Sequence, residues 1–172
     1  YKRCGRKIIM IKVIKSFLKK EEAENIEQKF TSNEFPWFIT KGIVNEGKDN
    51  DYQFNHIFYN NFRINSSLFN VLQPILNVLK PTSIIRIKAN LVPKDSKITK
   101  HKIHTDVDST VKNCKVAVYY VNTNNGCTMF KNNKKIISEK NKLVIFDGNT
   151  EHQSTTCTDK DYRIVINFNY FK

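Results

Sequence analysis

Cysteine is scarce in this sequence. Its 172 residues hold four, Cys4, Cys114, Cys127 and Cys157, and no two form a C-x-x-C pair. A zinc site or a disulfide framework is therefore not expected, and reduced thiols suit an intracellular setting. Long apolar runs are missing as well. Stretches such as Ile8-Ile9-Met10-Ile11 fall far short of the roughly 20 residues that a membrane-spanning helix needs. The start is basic, but no uninterrupted apolar stretch or small-residue cleavage site follows it, so there is no signal-peptide pattern. Membrane partners are excluded on this reading, and a soluble cytoplasmic protein is the expectation. Arginine is rare too: Lys supplies 24 of the 29 basic residues and Arg five. Nucleic-acid readers usually lean on the forked guanidinium, so this balance argues against a dedicated nucleic-acid surface. Neither internal repeats nor low-complexity segments occur.

What is present points to a packed domain. The chain is 40% hydrophobic and 12% aromatic, which excludes disorder. Its length suits one domain with one core. The net charge of +13 has two readings. One is a polyanionic partner such as nucleic acid. The other is codon bias, because the chain is also crowded with Asn, Ile, Phe and Tyr, as AT-rich coding produces. The second is preferred, with nonspecific anion binding retained.

Hydrophobic period divides the chain into two parts. Met10 reads as a natural start, with Tyr1 to Ile9 as upstream sequence, so the domain is taken as residues 10–172. Met10 to Ile14 reads as a first strand. Glu21 to Phe30 has helical spacing at Ala23, Ile26 and Phe30. Phe35 to Phe38 is an apolar knot around the single tryptophan, Gly42 to Tyr52 a loop, and Gln53 to Tyr59 a strand. Ser66 to Lys80 carries Leu68, Phe69, Leu72, Ile75, Leu76 and Leu79 on one helical face, with Pro74 counting against a regular helix. Beyond residue 82 the period becomes two. Strands are predicted at Ser83–Val92, Lys102–Asp106, Lys115–Val121, Thr128–Lys131, Lys134–Ser138, Lys142–Phe146 and Tyr162–Phe171. The predicted fold is α+β, mainly β: a jelly roll over about residues 83–171, with N-terminal helices packed on one sheet.

Three residues and a fourth carry the chemistry. In His104-Thr105-Asp106 an extended backbone would put His104 and Asp106 on one face. His152 follows 48 residues later, soon after a predicted strand and a tight turn. Two histidines and one carboxylate on a jelly roll form the facial triad of non-haem iron(II) enzymes, which leaves coordination positions open. Arg163 heads the last predicted strand, eleven residues beyond His152. Tyr162, Ile164, Ile166, Phe168 and Tyr170 make one apolar face of that strand. Arg163, Val165, Asn167 and Asn169 make the other. A buried arginine needs an anion. That anion is either an Asp or Glu of this chain or a ligand carboxylate held by the guanidinium fork. His101 is read as a surface residue and a decoy, since on a strand it would face away from His104. His56 is read as a locally hydrogen-bonded core or pocket-wall residue.

This ordered set resembles the 2-oxoglutarate-dependent oxygenases, especially the prolyl-hydroxylase-like branch. The resemblance spans Ile84 to Phe171. It rests on His104-Thr105-Asp106, Tyr119-Tyr120-Val121-Asn122, Gly126-Cys127-Thr128-Met129-Phe130, Leu143-Val144-Ile145-Phe146-Asp147, His152 and Arg163. The small size and Asn-rich turn look like the oxygenases of phages and large DNA viruses. The resemblance implies that His104, Asp106 and His152 are iron ligands. Arg163 pairs with the distal carboxylate of 2-oxoglutarate, and Tyr120 hydrogen-bonds the same carboxylate. Asn90, on a face with Arg86, Lys88 and Val92, and Asn167 are carried as further cosubstrate contacts. Two departures stand out. No tyrosine lies near Asn90 where prolyl hydroxylases often have one, and Asn125-Gly126 replaces the usual Gly-Gly.

The implied cofactors are Fe(II), 2-oxoglutarate and O₂, with ascorbate as a supporting reductant. The implied reaction couples oxidative decarboxylation of 2-oxoglutarate to hydroxylation of a C–H bond. The presence of Asp106 favours hydroxylation over halogenation. A prolyl residue of a protein or peptide is the first expected substrate. A methylated nucleic-acid base is the alternative enzyme reading, and a non-catalytic jelly-roll binding module the alternative of another class. Substrate-recognition loops are expected at Phe35–Asn61 and Pro93–Lys100. Oligomeric state is not readable.

Overall fold

The computed structural model describes residues 10–42 and 52–172. The upstream segment Tyr1–Ile9, with Cys4, and residues 43–51 of the expected loop lie outside the described residues. The described residues form eleven strands and two α-helices in chain order. They are β1 (Lys12–Ile14), α1 (Lys20–Thr31), β2 (Phe38–Lys41), β3 (Tyr52–Asn60), β4 (Arg63–Ile64), α2 (Gln73–Leu79), β5 (Ser83–Pro93), β6 (Lys115–Tyr120), β7 (Cys127–Phe130), β8 (Lys135–Ile137), β9 (Lys142–Asp147), β10 (His152–Ser154) and β11 (Tyr162–Phe171). No helix among the described residues is long and apolar enough to cross a membrane.

Local chemistry explains the helices. Ala23, Ile26 and Phe30 fall on one buried face of α1, and the Glu22 carboxylate accepts from the Lys19 N–H at its start. The predicted helix from Ser66 to Lys80 forms in two pieces, a 3₁₀ turn over Phe69–Leu72 and then α2. Pro74 is the reason. It lies in the first turn of α2, where its missing N–H costs nothing.

The strands form two sheets. The large sheet runs β1-β9-β6-β11-β5-β3-β2, with β4 paired to β3, and the small one runs β10-β7-β8. Period-two sequence decides what each face of the large sheet meets. Ile164, Ile166, Phe168 and Tyr170 of β11 join Ile87 and Ala89 of β5 beneath Ile26 and Phe30 of α1 and Ile75 and Leu79 of α2. The opposite face carries Val116, Val118, Tyr120, Val144 and Val165, which pack with Phe130 and Ile136 of the small sheet. Each buried side chain of this kind contributes roughly 1.5–3 kcal/mol. This is a jelly roll with helices on one outer face, as the sequence predicts.

Four local expectations are corrected. Lys102–Asp106 is not a strand. Isolated bridges, Lys100 to Thr155 and His104 to His152, tie that stretch to the edge of β10. β10 itself, and β2 between the expected apolar knot and the expected loop, are strands the alternation did not mark. The described part of Phe35–Asn61, expected to supply substrate loops, forms mostly β2 and β3. His101 is buried rather than at the surface. Its Nδ1 lies 2.7 Å from Ser154 Oγ, and its backbone N–H donates to the Ser154 carbonyl.

Candidate metal and anion site

A cleft opens between the two sheets. The register of the large sheet lays its floor: Val92 faces Arg163, Asn90 faces Val165, and Lys88 faces Asn167 across the β5–β11 ladder. All six line the cleft, as do Gln53, Arg86, Val118, Thr128 and Ser154. His104, Asp106 and His152 form its far wall.

The three wall residues converge. One ligand atom from each lies within 4.8 Å of the others, a grouping that could hold a metal ion. His152 begins β10, and its backbone N–H and C=O exchange hydrogen bonds with His104. The two rings are therefore neighbours, with centroids 4.6 Å apart. Each imidazole has its Nδ1 against a backbone carbonyl, Lys102 O at 3.1 Å for His104 and Thr150 O at 2.9 Å for His152. A carbonyl only accepts, so the ring proton sits on Nδ1 and the Nε2 lone pair is left facing inward.

The donor set tests whether a cation fits. Asp106 Oδ2 is buried without a hydrogen-bond donor, and it lies 3.3 Å from His152 Nε2. With the His152 proton at Nδ1, two lone-pair atoms confront one another. That contact is repulsive unless a proton or a metal ion sits between them. Burial raises the Asp106 carboxyl, but His152, His104 and Arg86 pull it below the usual carboxylate range. Burial depresses His104, and the neighbouring His152 lowers it further. Burial also depresses His152, yet Asp106 outweighs this and leaves it raised. Two nitrogen donors and one anionic oxygen, with one cleft face open, suit a divalent transition metal such as iron(II).

Arg163 occupies the other end of the cleft. It is 1% exposed. Its Nε donates to Ser138 Oγ at 2.8 Å and its Nη2 to Thr128 Oγ1 at 3.2 Å. The guanidinium lies 5.7 Å from the centre of the Tyr120 ring, a cation–π contact. The first of the two readings, an Asp or Glu of this chain, finds no such partner among the described residues. Among the described residues, no Asp or Glu oxygen comes within 4.0 Å of the guanidinium. Burial accordingly pushes its pKa down, and Tyr120, Cys127 and Cys157 only partly offset this.

The remaining predicted residues separate. Asn90 and Asn167 line the cleft, and Asn90 Oδ1 is buried without a donor. Tyr120 is fully buried behind Thr128, to which its hydroxyl donates at 2.8 Å. Tyr120 is not among the lining residues, whereas Thr128 is. His56 lies elsewhere, held between the Pro36 carbonyl and Ser66 Oγ. The sequence reading gave no role to Arg86, Lys88, Gln53, Thr128 or Ser154. Two cations at alternate positions of an otherwise apolar strand, Arg86 and Lys88, were the available signal.

No family model matches the sequence, and no curated protein matches it. Solved structures do match. The non-haem α-ketoglutarate-dependent epimerase of nogalamycin biosynthesis is 10% identical, with a TM-score of 0.66 over 94% of this chain and 78% of its own. A prolyl hydroxylase from Trichoplax adhaerens, solved with a hypoxia-inducible-factor peptide fragment, is 14% identical, with a TM-score of 0.64 over 94% of this chain and 83% of its own. A Pseudomonas putida prolyl-4-hydroxylase is 9% identical, with a TM-score of 0.57 over 96% of this chain and 94% of its own. This chain has their fold. The epimerase has also been solved with Fe³⁺ and α-ketoglutarate.

Proposed function

We propose that this protein is an iron(II)- and 2-oxoglutarate-dependent dioxygenase that hydroxylates a C–H bond, with a prolyl residue of a protein or peptide as its substrate. One observation carries the reading. A fully buried guanidinium with no carboxylate partner among the described residues lines the same cleft as two imidazoles and a carboxylate that need a cation between them. A metal held by the triad together with a small dicarboxylate paired with the arginine would satisfy both ends. The fold shared with oxygenases, one of them solved with a peptide, supports the enzyme class and the peptide substrate. The compact phage- and virus-type form belongs to this reading through size and composition alone.

His104, Asp106 and His152 would hold the iron. When bound, that iron supplies the redox chemistry linking O₂ and 2-oxoglutarate to hydroxylation. The protein's own residues orient and shield. Arg163 would pair with the distal carboxylate of 2-oxoglutarate. Thr128 completes that seat. Its oxygen already accepts from Tyr120 and Arg163, so its hydroxyl proton remains to donate to the carboxylate. Tyr120 thus acts through Thr128. Asn90 and Asn167 present amides to the same cleft, and Val92, Val118 and Val165 make part of its floor apolar.

The test is succinate release from 2-oxoglutarate with iron(II) and ascorbate, across proline-containing peptides, with His104→Ala as control. Peptide-stimulated release by the wild type alone is the expected result. Equal background in both proteins would leave a non-catalytic binding module. The charge of +13 favours one second reading, a methylated nucleic-acid base as substrate. Salt-sensitive oligonucleotide binding that competes with turnover would support it.

A further inference from the structure

Asp106 sits where no strand holds it. The stretch before it makes only two isolated bridges to β10 and its edge, the second of them at His104. The direction of its carboxylate must therefore come from side chains. Arg86 does this directly, and Asn169, which faces Arg86 across the β5–β11 ladder, anchors the main chain behind it. Arg86 Nη2 lies 3.3 Å from Asp106 Oδ1. Asn169 Nδ2 donates to the Asp106 main-chain carbonyl at 3.4 Å. Asn169 is buried, and the β5–β11 register shifts just beyond the Arg86–Asn169 pair, where β5 carries one extra residue, Ile85. An irregularity of that kind beside Arg86 can re-aim its side chain out of the regular pleat.

We propose that Arg86 and Asn169 are positioning residues that select Oδ2 of Asp106 as the single oxygen offered to the metal. This rests on the reading that the triad holds a metal. The two oxygens of Asp106 have unequal surroundings. Oδ1 is occupied by a charge-assisted contact from a guanidinium. Oδ2 is buried, lacks a donor and faces His152. A carboxylate held in this way ligates through one oxygen and leaves room in the coordination sphere for a two-point ligand. Such supporting contacts commonly set metal affinity as strongly as the ligands' own identity does.

A simple charge effect predicts the opposite sign. Arg86 is a cation beside a site for a divalent cation, so like-charge repulsion alone would make its removal tighten binding. Positioning makes its removal weaken binding. Anaerobic Co(II) titration by calorimetry, with the visible Co(II) spectrum recorded alongside, decides between them. The proteins are the wild type, Arg86→Met, Arg86→Lys and Asn169→Ala, each with its metal-free melting curve. Arg86→Met should weaken Co(II) about 10–100-fold and change the spectrum as the two carboxylate oxygens become equivalent. Arg86→Lys should recover part of the affinity, and Asn169→Ala should lose less than Arg86→Met. Wild-type affinity, or tighter binding, in Arg86→Met overturns the proposal. If Arg86→Met does not fold, unchanged affinity and spectrum in both Arg86→Lys and Asn169→Ala overturn it equally. A wild type that binds no Co(II) removes the metal reading itself, and the clamp with it.

Discussion

Replacing Arg163 with methionine separates a residue kept for a ligand from one kept for the fold. The guanidinium is 1% exposed and donates to two hydroxyls, Ser138 and Thr128, with no carboxylate near it among the described residues. Burying an ion costs several kcal/mol that neutral hydroxyls do not repay in full. Methionine has similar length and removes that cost. Against it stand two lost hydrogen bonds, each contributing roughly 0.5–1.5 kcal/mol. Ligand-free Arg163→Met should therefore melt at or above the wild-type temperature. Its binding should behave in the opposite way. Removing one partner of a buried ion pair costs about 3–5 kcal/mol, or roughly two to three and a half orders of magnitude in affinity for 2-oxoglutarate. The assay is thermal unfolding of the Co(II)-loaded protein with and without 2-oxoglutarate. At a hundred times its dissociation constant the ligand should stabilise the wild type by about 2.7 kcal/mol. For a chain of this size that is a rise of roughly 5–10 °C. Arg163→Met should rise by less than about 2 °C at the same concentration. An equal rise in both proteins would refute the assignment of Arg163 to the dicarboxylate. A ligand-free variant that loses many degrees would show that the guanidinium serves the fold.

Three further outcomes follow from the same geometry. A Cβ on Gly126 would lie 2.7 Å from Arg163 Cδ and 2.8 Å from the Thr156 carbonyl oxygen. Gly126→Ala should displace the guanidinium and weaken 2-oxoglutarate on the order of 10²-fold by calorimetry, with Co(II) affinity intact. The pH dependence has two opposed signs. Asp106 leaves His152 above its ordinary 6.5 despite burial, so Co(II) must displace a proton there, and its affinity should fall as pH drops through that raised value. Metal-free stability runs the other way: the contribution of His152 is complete below the unfolded value near 6.5 and is lost as pH rises through the folded one, which melting curves in EDTA would follow. Phe58 is buried among Phe30, Phe35 and His56, far from any role in ligation. Phe58→Ala should cost about 3–5 kcal/mol in urea unfolding while Co(II) affinity per folded molecule stays the same.

The legibility of the sequence followed the length and regularity of each element. β11 was read to its limits because ten residues alternate strictly between a core face and a cleft face. β5, β6 and β9 were read to within a residue or so at each end for the same reason. β10 was not, because three residues, His152-Gln153-Ser154, are too few and too polar to show a period. The stretch from Lys102 to Asp106 was read as a strand from its alternation, yet its backbone bonds go to isolated bridges at the edge of β10. His101 was placed outside by a strand argument that fails once the strand is absent. At the site, His104, Asp106, His152 and Arg163 could be named because rare residue types fell in a meaningful order. Thr128 and Asn169 could not. One threonine among the chain's twelve carries no signal, and only the fold sets it against Arg163 and Tyr120.

The two walls of the cleft belong to separate hydrogen-bonded ladders. Arg86, Asn90 and Arg163 ride on the large sheet, while His152, with His104 bridged to it, belongs to the edge of the three-stranded one. Among the described residues no ladder joins the layers, so their spacing rests on greasy contacts such as Phe130 against Phe146, on the side-chain hydrogen bonds of Arg163 and Tyr120 to Thr128, and on the grip of Arg86 upon Asp106. An ion seated in the triad would act as a rivet through the thinner layer. Amide exchange in β7, β8 and β10 should then slow on loading, while the broad layer under the helices stays as it was.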